Sequence, residues 1–284
     1  MGAMRLLVIG SAGMLGQELL AAAEAAGHEV TGLDLPDIDI TDADGTRAAL
    51  ERQRPDAVIN SAAWTDVDGA EEKEELAARI NAEGAGNVAA AAAAVGAFVV
   101  QISTDYSFDG TATEPYVESS PTSPLGAYGR TKLAGELAVS ELATPGFAVV
   151  RTAWLFGPHG KNFVDTMLRL GAERDEVSVV DDQVGSPTYA GHLARALVEI
   201  ADKRLAGIHH VAGGGQCTWY DLAVAAYEAT GTECVVHRTT AARFGRPAPR
   251  PAFSVLRTER DDTPRLPPWE EGLAAHLAAS RAAA

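Results

Sequence analysis

The apolar run Leu6-Leu7-Val8-Ile9 ends in Gly10-Ser-Ala-Gly13-Met-Leu-Gly16, and a helix-forming stretch over 14–26 follows at once, stopped by Gly27. Glycines at a strand-to-helix junction permit a tight turn, close approach of a pyrophosphate to the backbone, and close packing of helix on strand. The helix N-terminus then turns its free N–H groups and positive dipole end toward an anion. This junction constrains the fold more than any other feature, because it calls for a β-α-β crossover with a dinucleotide seated over it. A glycine triplet alone is common in turns, so the surroundings matter. The next apolar stretch, 29–33, ends at Asp34. A carboxylate there can accept both hydroxyls of an adenosine ribose, which favours NAD over NADP. The blander alternative is that Asp34 caps a loop in the aspartate-rich segment 34–44.

The same rhythm continues. Strands are expected over 5–9, 29–33, 57–60, 98–103 and 147–151, with a long Ala-rich helical region over 76–95 and a helix over 128–142. This alternation predicts an α/β fold: a Rossmann-type doubly wound parallel sheet covered on both faces. Beyond Thr152 the pattern loosens, with helices expected over 162–170, 191–201 and 273–284 and strands over 177–180 and 207–211. The expected division is a dinucleotide-binding domain over 1–153 and a smaller C-terminal α/β substrate domain over 154–284. Segments near 177–182 and 207–230 are expected to return to the Rossmann core. The three prolines of Gly245-Arg-Pro-Ala-Pro-Arg-Pro251 rule out regular structure there and leave a ligand loop or a linker.

Charge excludes one class of partner. The chain has 39 acidic and 23 basic residues and a formal net charge of -16. Such a chain repels phosphate backbones, so no nucleic-acid partner is expected. No apolar run reaches the ~20 residues of a membrane span, so no membrane association is expected. The first core strand follows Met1-Gly-Ala-Met4 directly, without a leader pattern. Cys217 and Cys234 form neither a disulfide framework nor a metal-binding set, and the expected compartment is the cytoplasm. His209-His210 lacks a third ligand at metal spacing, so no metal is expected.

Tyr128 and Lys132 stand four residues apart, on one face of the expected helix. A phenol titrating near ~10 is a poor acid–base group at neutral pH unless its surroundings change it. A neighbouring ammonium would favour the phenolate and lower that value. Thr104 follows the run Phe98-Val-Val-Gln-Ile102, at the strand end where parallel sheets open onto a ligand crevice. Its hydroxyl could donate to a carbonyl, or simply cap the turn at Asp105. Thr104, Tyr128 and Lys132 together describe hydride transfer to a carbonyl with proton delivery.

The motifs resemble the extended short-chain dehydrogenase/reductases and, within them, the dTDP-4-dehydrorhamnose reductase family. The matching stretches are Gly10–Gly16, Asn60-Ser-Ala-Ala-Trp-Thr-Asp-Val67, Ser103-Thr-Asp-Tyr-Ser-Phe-Asp-Gly110, Tyr128-Gly-Arg-Thr-Lys-Leu-Ala-Gly-Glu136, Arg151-Thr-Ala-Trp-Leu-Phe-Gly157, Asn162-Phe163, Asp182-Gln-Val-Gly-Ser-Pro-Thr-Tyr189 and Arg246-Pro-Ala248. The resemblance implies Thr104, Tyr128 and Lys132 as the catalytic trio. It implies cofactor contacts, to NADH or NADPH, from Gly10, Gly13, Met14, Leu15, Asp39, Ile40, Ala62, Ala63, Thr65, Tyr128 and Lys132. It implies contacts to a dTDP-linked 4-keto-6-deoxy sugar from Val67, Thr104, Asp105, Tyr106, Tyr128 and Trp154, with Asn162 and Arg246 as partners of the diphosphate or nucleotide. A homodimer is compatible with it. Three further readings are open: a 4-ketoreductase for another nucleotide deoxysugar, a 4-epimerase, or a non-catalytic NADP-binding regulatory subunit. A 4,6-dehydratase is disfavoured, since Tyr106 rather than a second carboxylate follows Asp105.

Overall fold

Leu6 and Val8 point to one side of β1 (Arg5–Ile9), Leu7 and Ile9 to the other, and all four are buried. A strand apolar on both faces belongs inside a sheet with helices above and below. The computed structural model, which describes residues 2–143 and 146–283, places it there. In chain order β1 leads to α1 (Met14–Ala25), β2 (Glu29–Leu33), α2 (Ala43–Gln53) and β3 (Ala57–Asn60). Then come α3 (Val67–Glu72), α4 (Glu74–Ala78), a π-helical turn (Arg79–Gly84), α5 (Ala85–Val95) and β4 (Phe98–Thr104). A 3₁₀ turn (Asp105–Ser107), α6 (Ala127–Leu142) and β5 (Phe147–Thr152) complete the first half.

The second half carries β6 (Leu155–Phe156), α7 (Phe163–Glu173), β7 (Glu176–Val180), β8 (Val184–Gly185), β9 (Thr188–Tyr189), α8 (Ala190–Lys203) and β10 (Gly207–His210). β11 (Cys217–Thr218), α9 (Trp219–Thr230), β12 (Val235–Thr239), α10 (Ala241–Phe244) and α11 (Trp269–Ala283) follow.

The main sheet is six-stranded and parallel throughout, in the order β10-β5-β4-β3-β1-β2. On one face α1 and α8 bring Leu15, Leu19, Leu193, Leu197 and Ile200 onto Leu6, Val8, Ile59 and Val100. On the other, α2, α5 and α6 bring Leu50, Val88, Ala92 and Val139 onto Leu7, Ile9, Val58 and Val99. Each large aliphatic side chain buried there contributes roughly 1.5–3 kcal/mol. From β1 the chain runs to β2 on one side and then to β3 on the other. That reversal opens a crevice at the carboxyl ends of the strands.

Three expectations change. The segment 177–182 does not rejoin the main sheet: β7 pairs in parallel with β12 in a separate two-stranded ribbon. The exposure of β7 alternates along the strand, with Val177 and Val179 buried and Glu176 and Ser178 exposed. Such a strand can cover one face only, whereas the main sheet buries both. From 207–230 only β10 enters the main sheet; α9 stays in the smaller unit, over Met167, Val177 and Val179. The helical region 76–95 is also not one α-helix, because the π-turn interrupts it at Asn81. The buried Asn81 side chain bonds the Trp64 backbone at both N and O (2.8 and 3.2 Å) and Thr131 Oγ1 (3.1 Å), which ties this turn to α6. No helix among the described residues is long and apolar enough to cross a membrane.

Candidate active site

A cleft of about 800 Å³ lies over the carboxyl ends of β1, β3, β4 and β5. One wall is the glycine loop. Gly10 adopts φ +81°, and a Cβ there would stand 2.6 Å from Ala62 N. A Cβ on Gly16 would collide with Gly10 O, so α1 can approach β1 this closely only with glycine at 16. Gly13 is the N-cap of α1, without a side-chain cap and with no acidic residue in the first turn. The first N–H groups of α1 therefore stay free for an anion. Asp34, at the end of β2, accepts from Ala12 N (2.9 Å) and Leu35 N (2.8 Å), so it clamps the glycine loop as well as lining the cleft. Asp39 accepts from Thr41 N and Oγ1 (2.9 and 2.8 Å), and these bonds hold its carboxyl below the usual range. Ile40, Ala62, Ala63, Thr65 and Val67 continue this side of the cleft.

The opposite wall carries the trio. Thr104 closes β4; its hydroxyl accepts from Tyr106 N (3.2 Å) and donates to Asp105 Oδ1 (3.0 Å). The turn-capping role and the cleft position therefore coexist. Tyr128 is half-buried at the start of α6, edge-on to Tyr106 at 5.7 Å between ring centroids. Burial, together with the charge of Asp105, pushes its phenol up to about 12. The expected lowering of Tyr128 by Lys132 is absent. Lys132 is itself buried and donates to Ile102 O at 2.6 Å, and burial brings it down to about 8 against the pull of Glu136. Desolvation outweighs attraction at this depth. Asp105 is buried too; burial raises it to about 6, and its Oδ2 has no hydrogen-bond partner among the described residues.

Trp154 lines the cleft in a left-handed conformation (φ +46°) and stacks flat on Trp219, 3.5 Å between centroids and 5° between planes. Two expected residues lie elsewhere. Asn162 is the N-cap of α7, accepting from Asp165 N (2.9 Å) and donating to Gly157 O (2.9 Å); its amide is occupied in holding its own loop. Arg246 is outside the cleft lining, with 59% of its side chain exposed, and touches Asp68 at 3.2 Å. Arg250, from the same Pro-rich segment, sits deeper at 18% exposure and bonds both oxygens of Asp68 (3.0 and 2.9 Å). It lies beside Tyr106, where its charge opposes the burial that raises that phenol. Lys161 and Trp219 also line the cleft and were not singled out from the sequence. Lys161 had one usable signal, a lone cation next to the matched pair Asn162-Phe163; Trp219, far along the chain, had none.

The cradle fits a dinucleotide. Gly10 and Gly16 stand where a Cβ would fill the space, the α1 N–H groups are uncapped, and Lys132 opens onto the same cleft. Fold and cleft together define an extended short-chain dehydrogenase/reductase. The chain belongs to the RmlD substrate binding domain family, whose model matches residues 4–282. It is 44% identical over 277 residues to a dTDP-4-dehydrorhamnose reductase of Streptomyces griseus, covering 95% of this chain and 91% of that one. It is 39% identical to the spore coat polysaccharide biosynthesis protein SpsK of Bacillus subtilis, covering 96% of each. A crystal structure of dTDP-4-dehydrorhamnose reductase from Bacillus anthracis in complex with NADP superposes with a TM-score of 0.95 at 37% identity, covering 98% of this chain and 100% of that one.

Proposed function

We propose that this protein reduces the C4 keto group of a dTDP-4-keto-6-deoxyhexose, dTDP-4-dehydrorhamnose to dTDP-L-rhamnose, with NADH or NADPH. The observation that carries the reading is one cleft holding the glycine cradle on one wall and Thr104, Tyr128 and Lys132 on the other. Relatives named as dTDP-4-dehydrorhamnose reductases match along nearly the whole chain, which supports the substrate class.

When bound, the reduced nicotinamide supplies the hydride. Thr104 orients the carbonyl oxygen by its hydroxyl. Tyr128, kept neutral by burial and by Asp105, hands its proton to the oxygen as negative charge develops there. Keeping the phenol protonated suits the reductive direction, since the enzyme arrives with its acid loaded. Lys132 then stands ready to balance the phenolate left behind. Asp105, with one unpartnered buried oxygen, is placed to meet a sugar hydroxyl.

The test is turnover of NADH and NADPH against dTDP-4-keto-6-deoxy-L-mannose, with the product sugar identified by NMR. Folded protein that binds NADPH and turns over no 4-keto sugar nucleotide would refute the reading and favour a cofactor-binding regulatory subunit. A product epimeric at C4 would assign another ketosugar reductase of the same class.

A further inference from the structure

Behind the cleft lies a charged group that the reaction above does not use. Glu136 follows Tyr128 and Lys132 at the same four-residue spacing on α6, and only 4% of its side chain is exposed. Its carboxylate is saturated. Ser103 Oγ donates to Oε1, Ser107 Oγ donates to the same oxygen at 3.2 Å, and Arg151 of β5 donates to both oxygens (3.0 Å to Oε1, 2.6 Å to Oε2). Ser103 and Ser107 bracket the segment that carries Thr104, Asp105 and Tyr106. A single carboxylate thus grips both ends of the catalytic turn from the helix that carries the other two members of the trio.

We propose that Glu136 is a positioning residue for the reduction: it locks the Ser103–Ser107 turn onto α6 and sets its carboxylate one helical turn beyond Lys132. The proposal rests on the assignment of Thr104, Tyr128 and Lys132 to the chemistry. Replacing a bonded carboxylate in this place by an apolar side chain would free both serines and leave Arg151 charged and buried, at 3% exposure. The other charged or titratable groups around the pair are known. Arg151 faces Glu136 from β5, His210 of β10 stands 3.4 Å behind Arg151, and Glu118 accepts from the His210 backbone. Tyr128 and Asp105 adjoin on the cleft side. Among these Glu136 is the one carboxylate that acts on Lys132, and it opposes the effect of burial.

The experiment compares Glu136→Gln with Tyr128→Phe and the parent protein, reading kcat against pH, KM for the sugar nucleotide, and thermal melting. Glutamine keeps the shape and removes the charge. The expected result is kcat lowered by about tenfold or more, KM changed by less than about threefold, and the alkaline limb of the kcat profile moved about one pH unit toward acid, because Lys132 loses its proton sooner. A purely structural role would lower the melting temperature and leave that limb where it was. If Glu136→Gln does not fold, the double variant Glu136→Gln/Arg151→Met, which leaves no unpaired buried charge, must show the same alkaline shift. Parental kcat and an unmoved limb in either folded variant, beside an inactive Tyr128→Phe, overturns the proposal alone. An active Tyr128→Phe overturns the trio itself.

Discussion

Asp68 on α3 receives Arg250 at both oxygens, Arg246 at 3.2 Å and Ala248 N at 3.2 Å, so a single carboxylate tethers the Pro-rich segment of the smaller unit beside the cleft. The Arg250 hydrogen bonds are the largest influence on it and hold it down to about 2, from an ordinary 3.8. At about 1.4 kcal/mol per pH unit, the gap corresponds to about 2 kcal/mol. This is an upper figure, because a quarter of the side chain faces solvent (25%). The carboxyl is lowered in the fold, so its contribution is complete above the unfolded value and drains away as pH falls toward about 2. Asp68→Asn keeps the shape and loses the charge. Urea unfolding should show it destabilised by up to about 2 kcal/mol at pH 7 and by roughly half as much near pH 3. The released segment should also raise KM for the sugar nucleotide, since Arg250 no longer has a fixed place beside Tyr106. A cost below about 0.5 kcal/mol at pH 7, or one that grows on acidification, would refute this account.

Tyr128→Phe should lower kcat by at least ~10²-fold, the scale of a lost general acid, with the Kd for NADPH, read by fluorescence titration, unchanged. Arg250, beside Tyr106, is better placed than Arg246 for an anionic part of the substrate, so Arg250→Ala should raise KM for the sugar nucleotide by roughly tenfold or more, the scale of a charge-assisted bond, while Arg246→Ala should change it by less than about threefold; steady-state kinetics in the reverse order would assign the anion contact to Arg246. Asp34 should repel a 2′-phosphate, so NADH should at least match NADPH in kcat/KM, and Asp34→Ala should shift the ratio toward NADPH; an NADPH preference above about tenfold in the parent protein would sink the ribose role. Gly16→Ala should cost several kcal/mol by melting, because its Cβ has nowhere to go but into Gly10 O.

The strands of the main sheet were legible because each is a short apolar run that needs burial on both faces, as in Leu6–Ile9 or Val99–Val100. The glycine cradle was legible for a similar reason: its parts are contiguous, and each answers to a backbone requirement within a few residues. α2 escaped notice because its sequence, Ala43–Gln53, is mostly polar and buries only Thr46, Ala49 and Leu50. The paired strands β6 and β9, two residues each, exist only through each other. The substrate side was harder for the same physical reason. Lys161 and Trp219 meet the cleft, and Arg250 meets Tyr106 of its lining, only through tertiary packing of distant segments. Nothing local distinguishes Arg250 from Arg246, and the difference arises when Asp68, far back in the chain, takes one guanidinium with both oxygens and the other with one. Asn162, implied by the resemblance as a partner of the diphosphate, caps α7 and bonds Gly157 O, an arrangement that no motif can reveal before the loop from Gly157 is in place.

The last strand of the main sheet comes from far down the chain. β10 pairs along β5 only after the chain has left the sheet, built β6 to β9 and covered one face with α8. The two units are therefore interleaved in sequence. Cutting the gene after Ala153 would not release a working cofactor half: it would strip the α8 side chains from Leu6, Val8, Ile59 and Val100 and leave β5 as a bare, ladder-ready edge. Unfolding should accordingly be a single cooperative event, not two. Exchange of the substrate half between relatives, by recombination or by design, has to carry β10 and α8 across with it.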